Sequence, residues 1–249
     1  MSTMILGINR AWQDFVPKAK AHLLPWILEI HLGKENEDGL ELDGPPSITQ
    51  VLSKANHIYR HNLLHINYTM YDVHCETDMI NPWTEHRNIM LLAQDGSNHR
   101  FCYARVLAIY HANVIYTGPG SMDFSSHHIK FLWVRWLELV DLSAGWDAHL
   151  LDKVRFVPMN WADAFSFIDP GDLLQSCHLV PVFAAGKLHI DGASFSRSAH
   201  NSEDWKQYYV NQWALAVAFF AQNVDSINMV WYLDLLIVIW WCGTTGEAV

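Results

Sequence analysis

Phe101–Val114 reads FCYARVLAIYHANV. Cys102, Ala104, Val106, Ala108, Tyr110, Ala112 and Val114 fall on alternate positions, while Arg105, His111 and Asn113 share the others with Phe101, Tyr103, Leu107 and Ile109. Successive side chains of a strand point to opposite faces, so this alternation predicts a long, twisted β-strand. Lys130–Leu137 (KFLWVRWL) predicts another, rich in β-favouring residues. Before the central strand, Gln94–Arg100 (QDGSNHR) reads as a hairpin turn following a short apolar strand at 88–93. Asn62–Val73 (NLLHINYTMYDV) also alternates, and a last strand is expected at 178–183. Between these, Asp169 is placed to cap a helical turn opening on Pro170, with Leu173 and Leu174 as its apolar side.

The N-terminal part has a different period. Residues 15–32 (FVPKAKAHLLPWILEIHL) predict a helix with Leu23, Leu24, Ile27, Leu28 and Ile30 on its apolar surface and Pro25 as a break or kink. Gly33–Pro46 (GKENEDGLELDGPP) reads as a solvated acidic linker, and 47–58 as a second short helix capped by Ser47. The expected fold class is therefore α+β. It comprises an N-terminal helical segment and acidic linker over 1–56, a mainly β, small-barrel domain over 57–183, a polar loop and closing segment over 184–212, and an apolar tail over 213–249.

Composition narrows the function classes. The 249 residues are 51% hydrophobic and 17% charged, which excludes a disordered or collagen-like chain. Sixteen Lys and Arg face 26 Asp and Glu, a net charge of −10 that disfavours a phosphate-neutralising grip on DNA. The apolar excess is C-terminal: no Lys or Arg occurs from Trp213 to Val249, and Ile227–Trp241 reads INMVWYLDLLIVIWW. That run is shorter than the ~20 residues a spanning helix needs and carries Asp234 in its middle. A buried helix or strand pair, or a tail under weak selection, is the leading reading of it, and membrane attachment through 227–241 the alternative. The start, MSTMILGINRAWQDF, lacks the features of a signal peptide, and Cys75, Cys102, Cys177 and Cys242 form no CxxC pair. A reducing, nuclear or cytoplasmic setting is expected.

Motifs for chemistry are sparse. Asp72, Asp78, Asp95 and Asp123 have no spacing that sets them apart from turn residues, so no catalytic acids are assigned. His57, His61 and His65 would align on a continuous helix, but the strand expected from Asn62 separates them, and His127-His128 is a loop pair; no metal site is assigned. Ser194 and Ser196 lack a nucleophile-elbow context, Cys102 lies on an apolar strand face, and Thr117-Gly118-Pro119-Gly120 lacks the Lys-Ser/Thr of a phosphate loop. No catalytic, cofactor or metal residues are therefore expected. Aromatic and basic residues on the two best strands remain. The candidate binding surface is Tyr103, Arg105, Trp133, Arg135 and Trp136. With Tyr110 and Tyr116 these rings would suit either a core or a cage for a methylated cation. Arg100, Arg105, Arg135 and Arg155 would make a basic patch if folding gathered them.

HNLLHINYTMYDV, NIMLLAQ, FCYARVLAIYHANV, FLWVRWLELVDLSAGW, FVPMNWADAFSFIDPGDLLQSCHLVPVF and EDWKQYYVNQW occur in this order between Phe15 and Trp213. Together they resemble the C-terminal region of basidiomycete (mushroom-type fungal) Plavaka/CACTA-group transposase-like proteins. The resemblance implies descent from a mobile element, without the ribonuclease-H-type domain and zinc finger that carry the activity of such proteins upstream. More loosely, Tyr103-Ala104-Arg105-Val106, Val134-Arg135-Trp136, Ile168-Asp169-Pro170 and Cys177-His178-Leu179-Val180 look like a bromo-adjacent-homology (BAH) module, a small β-barrel that binds chromatin proteins. The chain departs from the first family at His74-Cys75 and at Asp147, His149, Leu150 and Asp152, where basic residues are usual, and beyond Trp213. The expected function is a non-catalytic interaction module with a protein or chromatin partner; direct DNA binding and enzymatic activity are disfavoured.

Overall fold

The computed structural model describes residues 15–35, 47–69, 75–94, 96–118, 121, 123–140, 151–189, 202–211 and 247–248. These are mostly β, with one α-helix, α1 (Phe15–Glu35). Phe15, Ala19, Leu23 and Ile27, four residues apart, form the buried stripe of α1, flanked by partly buried Leu24, Leu28 and Ile30. Pro25 lies inside the helix and does not end it.

The expected second helix at 47–58 is replaced by a strand. Ser47 does act as a cap, but of a short 3-10 turn, Ile48–Gln50, whose Gln50 side chain reciprocates in a capping box. The chain then enters β1 (Val51–His61), which pairs antiparallel with β5 (Phe101–Tyr116). A sixteen-residue partner offers β1 a ladder that the local helical pattern cannot outweigh. The pairing is interrupted between Ser53 and Ile58, where Ala55 and Asn56 both take φ of 55°. Asn tolerates this conformation, whereas at Ala55 the Cβ crowds the following carbonyl at a cost of about 1–2 kcal/mol. Ala55→Gly is therefore expected to raise stability by about 1 kcal/mol, read as a higher urea midpoint; an unchanged or lower midpoint contradicts it.

The remaining strands are β2 (Leu64–Thr69), β3 (Cys75–Ile80), β4 (Asn88–Leu92), β6 (His127–Leu139), β7 (Lys153–Phe156), β8 (Phe165–Ile168), β9 (Leu173–Ser176), β10 (His178–Pro181) and β11 (Tyr208–Asn211). The expected strand at 62–73 is thus β2, paired with β3 in a separate two-stranded sheet. Asp169 caps a 3-10 turn at Pro170–Asp172 as expected, but Leu173 and Leu174 open β9 instead of continuing a helix. Leu173 packs with Leu91 in one cluster, whereas Leu174 borders another.

The β5–β6 hairpin is the spine. Its register shifts between Val106 and Ala108, and the extra residue flips the pattern read from sequence. Ala104 and Val106 pack with Ile109 in a middle cluster beneath the β2–β3 hairpin, while Ala108, Tyr110, Ala112 and Val114 turn toward α1. Tyr103 joins a third cluster with Met90, Leu137, Val154, Phe156, Cys177, Leu179, Tyr208 and Val210.

Around that third cluster the strands run β9–β4–β5–β6–β7–β11–β10, all antiparallel neighbours. The small barrel expected from sequence appears as a sheet that does not close by pairing. Its two ends nevertheless lie on one stretch of chain, since β9 and β10 are separated only by Cys177. β8 pairs with β6, and Glu247–Ala248 with β1. The apolar segment 227–241 lies outside the described residues, and no described helix is long and apolar enough to cross a membrane.

Candidate functional site

Side-chain alternation sends Asn88 and Met90 of β4, Tyr103 and Arg105 of β5, and Arg135 and Leu137 of β6 toward the same interior, and the register places Arg105 opposite both Asn88 and Arg135. Arg105 and Arg135 are 3% and 2% exposed, so two guanidiniums sit side by side in the core. Asp204, from the turn before β11, lies between them. Arg105 Nη1 donates to Asp204 Oδ1 at 2.6 Å and Arg135 Nη1 to Oδ2 at 3.1 Å. Tyr208 Oη also donates to Asp204 Oδ1, at 3.3 Å, and Arg105 Nε to Asn88 Oδ1, at 3.3 Å.

Phe156 completes the group, with each guanidinium carbon 4.2 Å from its ring centroid. Burial lowers the proton affinity of Arg135 to a pKa of about 10; Asp204 opposes this and Arg105 adds to it. Arg135 therefore remains charged at neutral pH.

The same carboxylate-bearing turn organises the surface above it. Leu188 N–H donates to the Asp204 carbonyl at 2.8 Å, Lys187 bridges to Trp205, and Trp205 N–H donates to Tyr208 Oη at 2.8 Å. Phe183 meets Trp205 edge-to-face with centroids 5.0 Å apart, and Lys187 Nζ lies 5.6 Å from the Trp205 ring. Phe183 is 69% and Leu188 42% exposed. An apolar, aromatic edge is thus held from below by a buried ion cluster. It is the candidate functional site.

Two further polar groups flank the core. His99 Nε2 pairs with Asp152 Oδ2 at 3.2 Å and Tyr103 Oη donates to the same oxygen at 2.5 Å. The hydrogen bond to Asp152 is the main reason that the His99 pKa is raised, against burial. Across β1, β5 and β6, His61 Nε2 and His111 Nδ1 lie 2.5 Å apart, and the His128 ring lies tilted against His111 with centroids at 4.2 Å. Burial first, then the charge of His128, pushes His61 and His111 down to about 4.

The five residues expected to form a binding surface are not gathered on one. Tyr103, Arg105 and Arg135 line the interior described above, Trp133 packs under α1 beside Phe15, and Trp136 borders the middle cluster, donating to Ser166 Oγ at 2.7 Å. Their alternation marks strands buried on both faces, where aromatic rings fill space. Tyr110 and Tyr116 are core residues too, so these rings form no open cage. Of the four arginines, Arg105 and Arg135 meet but are buried. Arg155 pairs with Glu138 at 2.6 Å, and Arg100 lies over Phe101.

His57, His61 and His65 are not aligned, and His61 instead faces His111 across strands. Among the described residues no group of three His, Cys, Asp or Glu is arranged to hold a metal ion. Asp78 accepts from Ser176 N–H and Asp123 from Ser125 N–H; Asp72 and Asp95 lie outside the described residues. Asp204, Phe156, Phe183 and Trp205 stand within segments quoted for the resemblance, but neither they nor Lys187 carry a sequence signal of a shared site. Asp204 stands in a polar stretch, SEDWKQ, whose only sequence cue is the YYV strand that follows.

No family model, curated protein or solved structure matches this chain.

Proposed function

We propose that the chain is an interaction module that binds a basic protein segment, such as the tails of chromatin proteins, through the edge formed by Phe183, Lys187, Leu188 and Trp205. The observation that carries this reading is the exposure of Phe183 and Leu188 on a segment pinned by Asp204 to two buried arginines. Large exposed apolar side chains on a fixed backbone suit recognition, because little conformational entropy is lost on binding. A net charge of −10 attracts basic segments and repels duplex DNA. The resemblance to transposon-derived proteins and to the BAH module supports the same reading. In it the sheet acts as a barrel completed through Leu173–Pro181, and the module descends from a Plavaka/CACTA-group protein.

Fluorescence anisotropy with labelled histone-tail peptides and with a labelled duplex tests this. Wild type is expected to bind at least one basic peptide, and Phe183→Ala/Leu188→Ala to bind it about tenfold or more weakly with an unchanged circular dichroism spectrum; a tenfold change equals about 1.4 kcal/mol. Duplex binding is expected to be no tighter than the ~10⁻⁴–10⁻⁶ M of non-specific contacts. Peptide affinity indifferent to the double substitution, or nanomolar duplex binding with a steep salt slope, would refute the reading.

A further inference from the structure

We propose that the Trp205 ring is the subsite for an arginine side chain of the protein partner, and that Lys187 holds this place in the free protein as a competing cation. This rests on the aromatic edge being the binding surface. Lys187 and Trp205 stand opposite each other as an antiparallel bridge pair, so their side chains share one side of the backbone, and Lys187 Nζ lies 5.6 Å from the indole ring centroid. The ring itself is fixed. It packs against the third cluster, Phe183 meets it at 85°, and the Trp205 backbone N–H donates to Tyr208 Oη. An indole face held in this way attracts a cation through the ring quadrupole.

Lys187 is a weak occupant of that face. It is exposed, its stem is flexible, and an ammonium is strongly hydrated. A guanidinium is planar and more weakly hydrated, and it stacks on aromatic faces. The interior of this protein shows the difference: Arg105 and Arg135 each place their guanidinium carbon 4.2 Å from the Phe156 centroid, well inside the 5.6 Å of Lys187. An incoming arginine therefore gains more from Trp205 than Lys187 loses by turning into water. The two cannot share the face, because like charges repel. Glu203 and Lys206, both exposed, flank Asp204 and Trp205 and offset each other, while Asp204 is engaged by the buried arginines. The net charge of −10 supplies the longer-range attraction for a basic segment.

Fluorescence anisotropy with a labelled histone-tail peptide tests this, each arginine of the peptide being in turn kept, changed to lysine or changed to citrulline, which keeps the shape without the charge. At one position, Lys187→Met is expected to tighten the arginine form by roughly two- to fivefold, the worth of an exposed cation–π contact, and to leave the citrulline form unchanged. The lysine form is expected to bind more weakly than the arginine form. Lys206→Met removes the same charge one residue beyond Trp205, on the other side of an extended backbone, and is expected to have a smaller effect. Trp205→Leu is expected to abolish the difference between arginine and citrulline; where that variant does not fold, Lys187→Met decides alone. Wild type that binds no basic peptide would refute the binding surface and this subsite with it. Binding that Phe183→Ala/Leu188→Ala weakens would keep the surface but overturn the subsite if Lys187→Met leaves it unchanged, tightens the citrulline form equally, or is matched by Lys206→Met.

Discussion

Asp204→Ala is expected to cost about 3–5 kcal/mol of folding stability, the range found when one partner of a buried ion cluster is removed. The loss does not measure the attraction alone. Without the carboxylate, Arg105 and Arg135 stay buried beside each other, and both must be desolvated with no counter-charge. The urea midpoint reports this directly. A companion variant separates desolvation from packing: Arg105→Met/Arg135→Met/Asp204→Leu removes every charge of the triad while keeping its bulk, and is expected to recover most of the loss. A drop below about 1 kcal/mol in Asp204→Ala would mean that the cluster is open to water and does not anchor the aromatic edge.

Stability is expected to fall as pH is lowered from about 6.5 through about 4. His61 and His111 have folded pKa values near 4, against about 6.5 for the unfolded imidazole. In that window the unfolded chain binds more protons, so stability rises with pH, is fully present above 6.5 and is lost as pH falls through 4. A tenfold change in proton affinity is worth about 1.4 kcal/mol. With solvent reaching the rim of the cluster, the pair accounts for on the order of 2–3 kcal/mol. His128 and Lys130, facing the pair from β6, add repulsion that sharpens the fall.

Asp169 works the other way. Burial lifts its pKa from 3.8 to about 6, so its contribution is lost as pH rises through that value and partly offsets the histidine slope. His99, with a raised pKa, contributes stability below 6.5 that is lost above it, outside the acid window. Urea midpoints measured from pH 4 to 7 check the sign. His111→Phe, which keeps a ring against Tyr59 and His128, is expected to flatten the profile. An unchanged slope in that variant would assign the acid sensitivity elsewhere.

The strands with the cleanest alternation were legible because their pattern reflects burial by neighbours close in sequence. Phe101–Tyr116 and His127–Leu139 each extend a strand read from a few residues fewer. β1 was not legible, because its apolar positions fit a helix equally well and only the long partner strand decides between them. Past Val106 the residues of β5 face opposite to what alternation predicts, for a different reason. A single bulge reverses the parity, and nothing in Arg105-Val106-Leu107-Ala108 announces it.

The candidate site was hidden by the same distance effect. Arg105 and Arg135 stood out as basic residues on strands, but their partner comes from 99 and 69 positions further along the chain. A lone Asp beside a Trp has no signature until the fold brings it in.

The insertion of β11 between β7 and β10 also sets an order for biosynthesis. Both neighbours leave the ribosome first and wait with unpaired edges until Tyr208–Asn211 is made. Asp204 arrives just ahead of that strand. A nascent chain that ends before it carries Arg105 and Arg135 but not their shared carboxylate, so burying the pair there carries the same penalty of about 3–5 kcal/mol expected for Asp204→Ala.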